Sequence, residues 1–201
     1  LEHEKFKLTG GLNIYEDLRI NDTDRFQYVL PYYNFTKNIN PLNIGTLSFT
    51  SKGDNILDNT NNMKSKVIND LTFKTNNLIF EELGIKNNFN VYFKNLNSIG
   101  KNVSNYKSSP QIELQSLFEL NSELPLIKYN ETTTQTLIPR ISLKFNPGDM
   151  KNHSDAQRKI NINNIFDVNR IGVDDTFEEG GSLTLGMNYK KENNLNYSKF
   201  I

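Results

Sequence analysis

Leu137-Ile138-Pro139-Arg140-Ile141-Ser142-Leu143-Lys144-Phe145 and Leu183-Thr184-Leu185-Gly186-Met187-Asn188-Tyr189-Lys190 are the two runs on which the fold turns. In the first, Leu137, Pro139, Ile141, Leu143 and Phe145 alternate with Arg140, Ser142 and Lys144. Side chains of a strand point to opposite faces in turn, so one face is apolar and the other polar and charged. The second run repeats the pattern. Between them lies a polar insertion, residues 146–181. It contains Asn163-Asn164-Ile165-Phe166, Asn169-Arg170-Ile171-Gly172-Val173-Asp174-Asp175 and Glu178-Glu179-Gly180-Gly181.

Working outward, the rest of the chain shows the same alternation. Phe6, Leu8, Gly10, Leu12 and Ile14 oppose Lys5, Lys7, Thr9, Gly11 and Asn13. Arg25 to Phe35 is aromatic-rich, and Pro31 predicts a bulge or boundary there because proline cannot donate to a ladder. Ile44 to Ser51, Lys66 to Lys74, Phe89 to Lys94 and Gln111 to Leu120 alternate likewise. Polar turns are expected at 17–24, 38–43, 52–62 and 97–109, a helical turn at Phe80 to Leu83, and a connection at 123–133. Gly10-Gly11 reads as a bend or bulge, since strand residues rather than a helix follow it. The expected architecture is all-β, an antiparallel meander of about eight long strands of about ten residues each. The domain is expected to span 1–201.

Composition narrows the function classes. The 201 residues carry 36% apolar residues, 23 Lys and Arg and 23 Asp and Glu. Zero net charge gives no electrostatic reason to expect nucleic acid as partner. With no Cys, disulfides and zinc–thiolate centres are excluded within the stretch. No run of about 18 apolar residues is present to form a membrane helix. Both ends fall within alternation, which predicts a piece of a longer chain, and no leader peptide is visible.

Two all-β readings fit the alternation: a soluble sandwich or barrel with its apolar faces inward, and a transmembrane barrel with those faces outward toward lipid. Three features favour the membrane. The strands reach the about 9–11 residues needed to cross at a tilt. The polar faces hold whole charges, including Lys5, Lys7, Arg140 and Lys144. Tyr15, Tyr32, Tyr33, Phe145 and Tyr189 sit near strand ends, as in interfacial girdles.

Pro139-Arg140-Ile141-Ser142-Leu143-Lys144-Phe145-Asn146-Pro147 resembles the strand that opens the C-terminal barrel region of the lipopolysaccharide-assembly (LptD) family. Ile162 to Asp175 is similar to the family's following segment: an aromatic-bearing stretch, an Arg, a Gly-x-Asp, an acid, then a strand with Gly. Phe166, Arg170, Gly172, Asp174, Glu178 and Gly186 occupy those places. Asp24-Arg25-Phe26 followed by Leu30-Pro31-Tyr32-Tyr33 also resembles the family's barrel. The family's periplasmic jelly-roll, its first and last barrel strands and its paired cysteines have no counterpart here.

The resemblance implies part of an outer-membrane β-barrel in a Gram-negative bacterium that delivers lipopolysaccharide to the cell surface. It implies an LptE-type lipoprotein plug as partner, periplasmic Lpt bridge proteins reached through other regions, and no enzymatic activity or cofactor. The alternatives are a general outer-membrane channel or receptor barrel and a soluble β-sandwich binding module.

Among candidate site residues, Lys5, Lys7, Arg140, Lys144 and Lys190 are expected to face a lumen. Arg170 is expected to form a bidentate ion pair with Asp174 or Asp175 that pins the insertion. Asp174, Asp175, Glu178 and Glu179 are hard oxygen ligands of the kind calcium takes, but their spacing fits no EF-hand loop, and a solvated or lumen-folded loop is the simpler reading. His3 and His153 have no triad or metal spacing, so no catalytic or metal residue is assigned.

Overall fold

The computed structural model describes residues 2–3, 6–19, 25–39, 43–58, 61–151, 153 and 160–193. Among these residues eleven strands follow in order: β1 (Glu2–His3), β2 (Phe6–Glu16), β3 (Phe26–Ile39), β4 (Gly45–Asp58), β5 (Asn62–Thr75), β6 (Leu78–Phe80), β7 (Ile85–Lys101), β8 (Gln111–Glu123), β9 (Leu126–Tyr129), β10 (Thr133–Asn146) and β11 (Gly180–Asn193). Among the described residues there is no helix.

All pairings are antiparallel, and the sheet order is β1-β2-β3-β4-β5-β7-β8-β10-β11, with β6 on β7 and β9 on β10. The expected meander of eight long strands is therefore present as β2, β3, β4, β5, β7, β8, β10 and β11. The sheet is open: among the described residues β11 makes no pairing back to β1 or β2.

The register shifts between Gly11 and Asn13 and between Val29 and Tyr32, placing bulges where Gly10-Gly11 and Pro31 predict irregularity. Other expectations are corrected. Residues 52–58 and 97–101, expected as loop, continue β4 and β7. The helical turn expected at Phe80 to Leu83 is present as a single turn that joins β6 to β7, closed by a Gly84 N–H to Phe80 carbonyl bond of 2.8 Å. The connection at 123–133 contains β9.

The packing is inverted relative to a water-soluble sheet. On β10, Ser142 and Lys144 are 1% and 8% exposed, while their neighbours Leu143 and Phe145 are 46% and 54% exposed. Burial follows the polar face because the described part of the insertion, residues 147–151, 153 and 160–179, folds back over it. Among the described residues a buried apolar cluster, Tyr92, Leu117 and Phe177 with Val168 against it, lies between that face and the insertion. Ile68 and Leu96 are fully buried on the same side. Among the described residues no second layer covers the apolar face, where Leu143, Phe145, Leu183 and Leu185 all stay exposed.

The bare apolar band crosses the strands obliquely. It centres on Gly11 of β2 (Leu8, Leu12, Ile14), Val91 of β7 (Phe89, Val91, Phe93), Ile141 of β10 and Gly186 of β11 (Leu183, Leu185, Met187, Tyr189). Through the ladders these centres map to Gln111, Phe118, Ser122 and Glu123 of β8. The band thus climbs 12 residues, from Gln111 to Glu123, in seven strand-to-strand steps. At about 3.3 Å per residue and about 4.8 Å per step, that is a slope of roughly 45–50°.

A polar ladder interrupts the band. Tyr33 and Ser51 hydroxyls meet at 3.1 Å, Ser51 donates to Asn69 at 2.7 Å, and Asn69 and Asn97 both donate to Asn95, at 3.1 and 2.7 Å. This side-chain ladder crosses β3, β4, β5 and β7 on the outer face.

Candidate functional site

Alternation on β4, β5, β7, β8 and β10 aims Lys52, Lys66, Lys94, Gln115, Glu119 and Lys144 at one face, and the insertion lands on them. Asp174 receives Lys52 Nζ at 3.0 Å on Oδ2 and Lys66 Nζ at 3.0 Å on Oδ1. Lys94 Nζ donates to the Asp174 carbonyl at 2.8 Å and to Asp70 at 2.6 Å, and sits 5.0 Å from the Phe177 ring centroid. Gln115 accepts the Phe177 N–H at 2.9 Å. Thus four strands, β4, β5, β7 and β8, hold one short stretch, 174–177, of the insertion.

Asp175 forms a second anchor. It accepts the Tyr106 hydroxyl at 2.6 Å and lies 2.9 Å from His153 Nε2, and it is 2% exposed. Lys64 and Lys151 lie over the Tyr106 ring at 4.7 and 5.0 Å. Burial and the Asp175 carboxylate push the Tyr106 phenol well above its ordinary value, so it stays a neutral donor. Burial alone would raise Asp175, but the Tyr106 bond and His153 outweigh it and hold the carboxyl low.

A third anchor is aromatic. The Phe166 ring lies under the Arg140 guanidinium, 4.6 Å from its centroid. A Cβ on Gly186 would come within 2.8 Å of that ring. Because Arg140 and Gly186 are cross-strand partners, the bare glycine makes the slot that Phe166 fills. Lys144 donates to the Phe166 carbonyl at 3.1 Å and to that of Asp167, and pairs with Glu119 at 3.6 Å. Glu119 also accepts Asn90 and Tyr92, both at 2.8 Å.

The expected ion pair is corrected. Arg170 bonds Glu178, with Nε at 2.7 and 2.8 Å and Nη2 at 2.6 Å, because Asp174 and Asp175 are claimed by the lysines and by Tyr106 and His153. The four insertion acids therefore do not converge. Among the described residues no group of three or more His, Asp or Glu side chains could hold a metal. His153 is isolated in sequence but not in space, since it joins Asp175.

Of the lysines and arginine expected at a lumen, Lys144 and Arg140 do face the insertion. Lys190 pairs with Glu192 at 2.6 Å away from it. Lys7 is on the same face and exposed. Lys5 lies outside the described residues, as does the side chain of His3. Sequence reasoning missed Lys52, Tyr106 and the partners of Asp174. Lys66 and Lys94 carried a signal, being polar-face positions of alternating strands.

No family model matches this chain, and no curated protein matches it.

Proposed function

We propose that this chain is a section of the wall of an outer-membrane β-barrel that assembles lipopolysaccharide at the bacterial surface. The observation that carries the membrane part is the bare apolar band, sloping at roughly 45–50° across the strands, close to the about 45° at which barrel strands cross a bilayer. A membrane level cut through tilted strands moves obliquely through their ladder in this way. The polar, charged face covered by an internal segment suits a wet lumen holding a folded-in loop.

Lipopolysaccharide as cargo rests on the resemblance carried by Phe166, Arg170, Gly172, Asp174, Glu178 and Gly186, five of which lie in the docked insertion. Headgroup sugars and phosphates would cross the polar lumen while acyl chains leave sideways into lipid. Such guidance needs no catalytic group. An LptE-type lipoprotein and periplasmic bridge proteins are the partners proposed with it. Closure of the barrel requires further strands against β2 and β11, because an open edge in hydrocarbon leaves backbone groups unpaired at several kilocalories each.

Two measurements test the reading. The full-length protein should need detergent for extraction and run with heat-modifiable mobility on gels, as closed barrels do. Its depletion should lower surface lipopolysaccharide. Extraction by salt alone would remove the membrane part. Normal surface lipopolysaccharide with lost solute uptake would replace the assembly role with a general channel or receptor.

A further inference from the structure

We propose that Lys52, Lys66 and Lys94 form an anion site for a phosphate or pyrophosphate group, which Asp174 of the insertion occupies as an internal competitor. The proposal deepens the reading above and rests on it only for the molecule that carries the phosphate.

Three ammonium groups from three adjacent strands converge on one residue. Lys52 of β4 and Lys66 of β5 bind the Asp174 carboxylate at 3.0 Å each, and Lys94 of β7 binds its carbonyl at 2.8 Å. Lys66 and Lys94 are only 11% and 6% exposed, so their charges face the insertion rather than bulk water. Between them on β5 lies Ile68, fully buried, and the carboxylates that share the lysines on this floor are Asp70, 2.6 Å from Lys94, and Asp54, 3.8 Å from Lys66.

The charge balance without the insertion is uneven. The wall alone brings Lys52, Lys64, Lys66 and Lys94, against Asp54 and Asp70. That leaves two positive charges, which Asp174 and Asp175 of the insertion balance together and a single phosphate dianion meets alone. Space and donors are already at hand. A cavity of about 290 Å³ between wall and insertion is lined by Thr50, Thr72 and Asn169 beside Lys52 and Lys94.

Asp174 is tethered, so it holds the lysines at high effective concentration and an arriving phosphate has to displace it. Binding of the anion and release of the insertion are then one coupled equilibrium. A phosphorylated headgroup would free the lumen that it enters, and the insertion would return once the headgroup leaves.

The test is calorimetric titration of the full-length protein in detergent. The probes are inorganic pyrophosphate and, separately, a phosphorylated glycolipid in mixed micelles. Asp174→Asn is expected to tighten pyrophosphate binding by about tenfold or more, the scale of removing a close competing charge. Lys52→Met with Lys66→Met is expected to abolish binding, even beside Asp174→Asn. Lys52→Met alone leaves two lysines on Asp174 to keep the fold, and is expected to weaken binding about threefold or more. Added pyrophosphate should also raise protease cleavage within residues 160–179. An unchanged affinity in Asp174→Asn, or binding that survives the lysine changes, overturns the proposal. Binding of pyrophosphate without the glycolipid upholds the anion site and removes the lipid cargo from the reading above.

Discussion

Asp174 and Arg170 show how single side chains hold the insertion. Burial by itself raises the Asp174 carboxyl, but Lys66 and Lys52 outweigh it and hold it at about 2, below its ordinary 3.8. A carboxyl lowered on docking contributes stability that is complete above the ordinary value and lost as pH falls through the docked one. The insertion is therefore expected to stay docked at neutral pH and to release between pH 3.8 and about 2. Acid-stable protease cleavage within 160–179 would follow that release, and Asp174→Asn should flatten its pH dependence. Arg170→Ala leaves the Glu178 carboxylate without its three short contacts. The expected loss is about 1.5–3 kcal/mol, the worth of charged hydrogen bonds, taken from the docking of the insertion alone. Its cleavage should rise while heat-modifiable mobility stays unchanged; equal cleavage in both proteins would count against the Arg170 anchor.

At the scale of elements, the hairpin β10–β11 both carries the insertion and receives it, through the slot between Arg140 and Gly186. Gly186→Val puts branched carbon where the Phe166 ring edge lies, and overpacking of this kind costs about 1–3 kcal/mol. Loss of Phe166 contact should undock the insertion, read as freer access of Phe166 to solvent in footprinting, whereas Met187→Ala on the other face should not. The strands themselves were legible, because alternation survives wherever the outer face is apolar. It failed at 52–58 and 97–101, where the outward Gly53, Asn55, Asn97 and Lys101 break the apolar run between Phe49 and Leu57 and beside Ile99, and the period-two contrast weakens. The docking was not legible. Lys66 and Asp174 are 108 residues apart, and nothing local distinguishes Asp174, held by lysines, from Glu178, held by Arg170.

Over the whole molecule, the sequence allowed apolar faces turned either inward or outward; among the described residues the greasy face is bare and the charged face is covered. A substitution on that bare face separates bilayer from water. Leu185 is 66% exposed, so in water Leu185→Arg should be nearly neutral. In a bilayer the same change is expected to cost about 2–4 kcal/mol near the midplane. Comparing denaturant unfolding of the full-length protein in vesicles and in detergent-free buffer measures the difference, and equal small effects in both would deny the wall its lipid contact.

The hydroxyl-and-amide ladder on the outer face has a consequence for how the wall finds its alignment. Sliding β4 against β5 by two residues keeps every side chain on its own side, so greasiness alone does not oppose it. The slide would set Ser51 opposite Leu71 or Val67 instead of Asn69, and leave their polar atoms without partners on an apolar face. Ser51, Asn69 and Asn95 therefore serve as a registration mark, telling one two-residue step from the next where repetition otherwise could not.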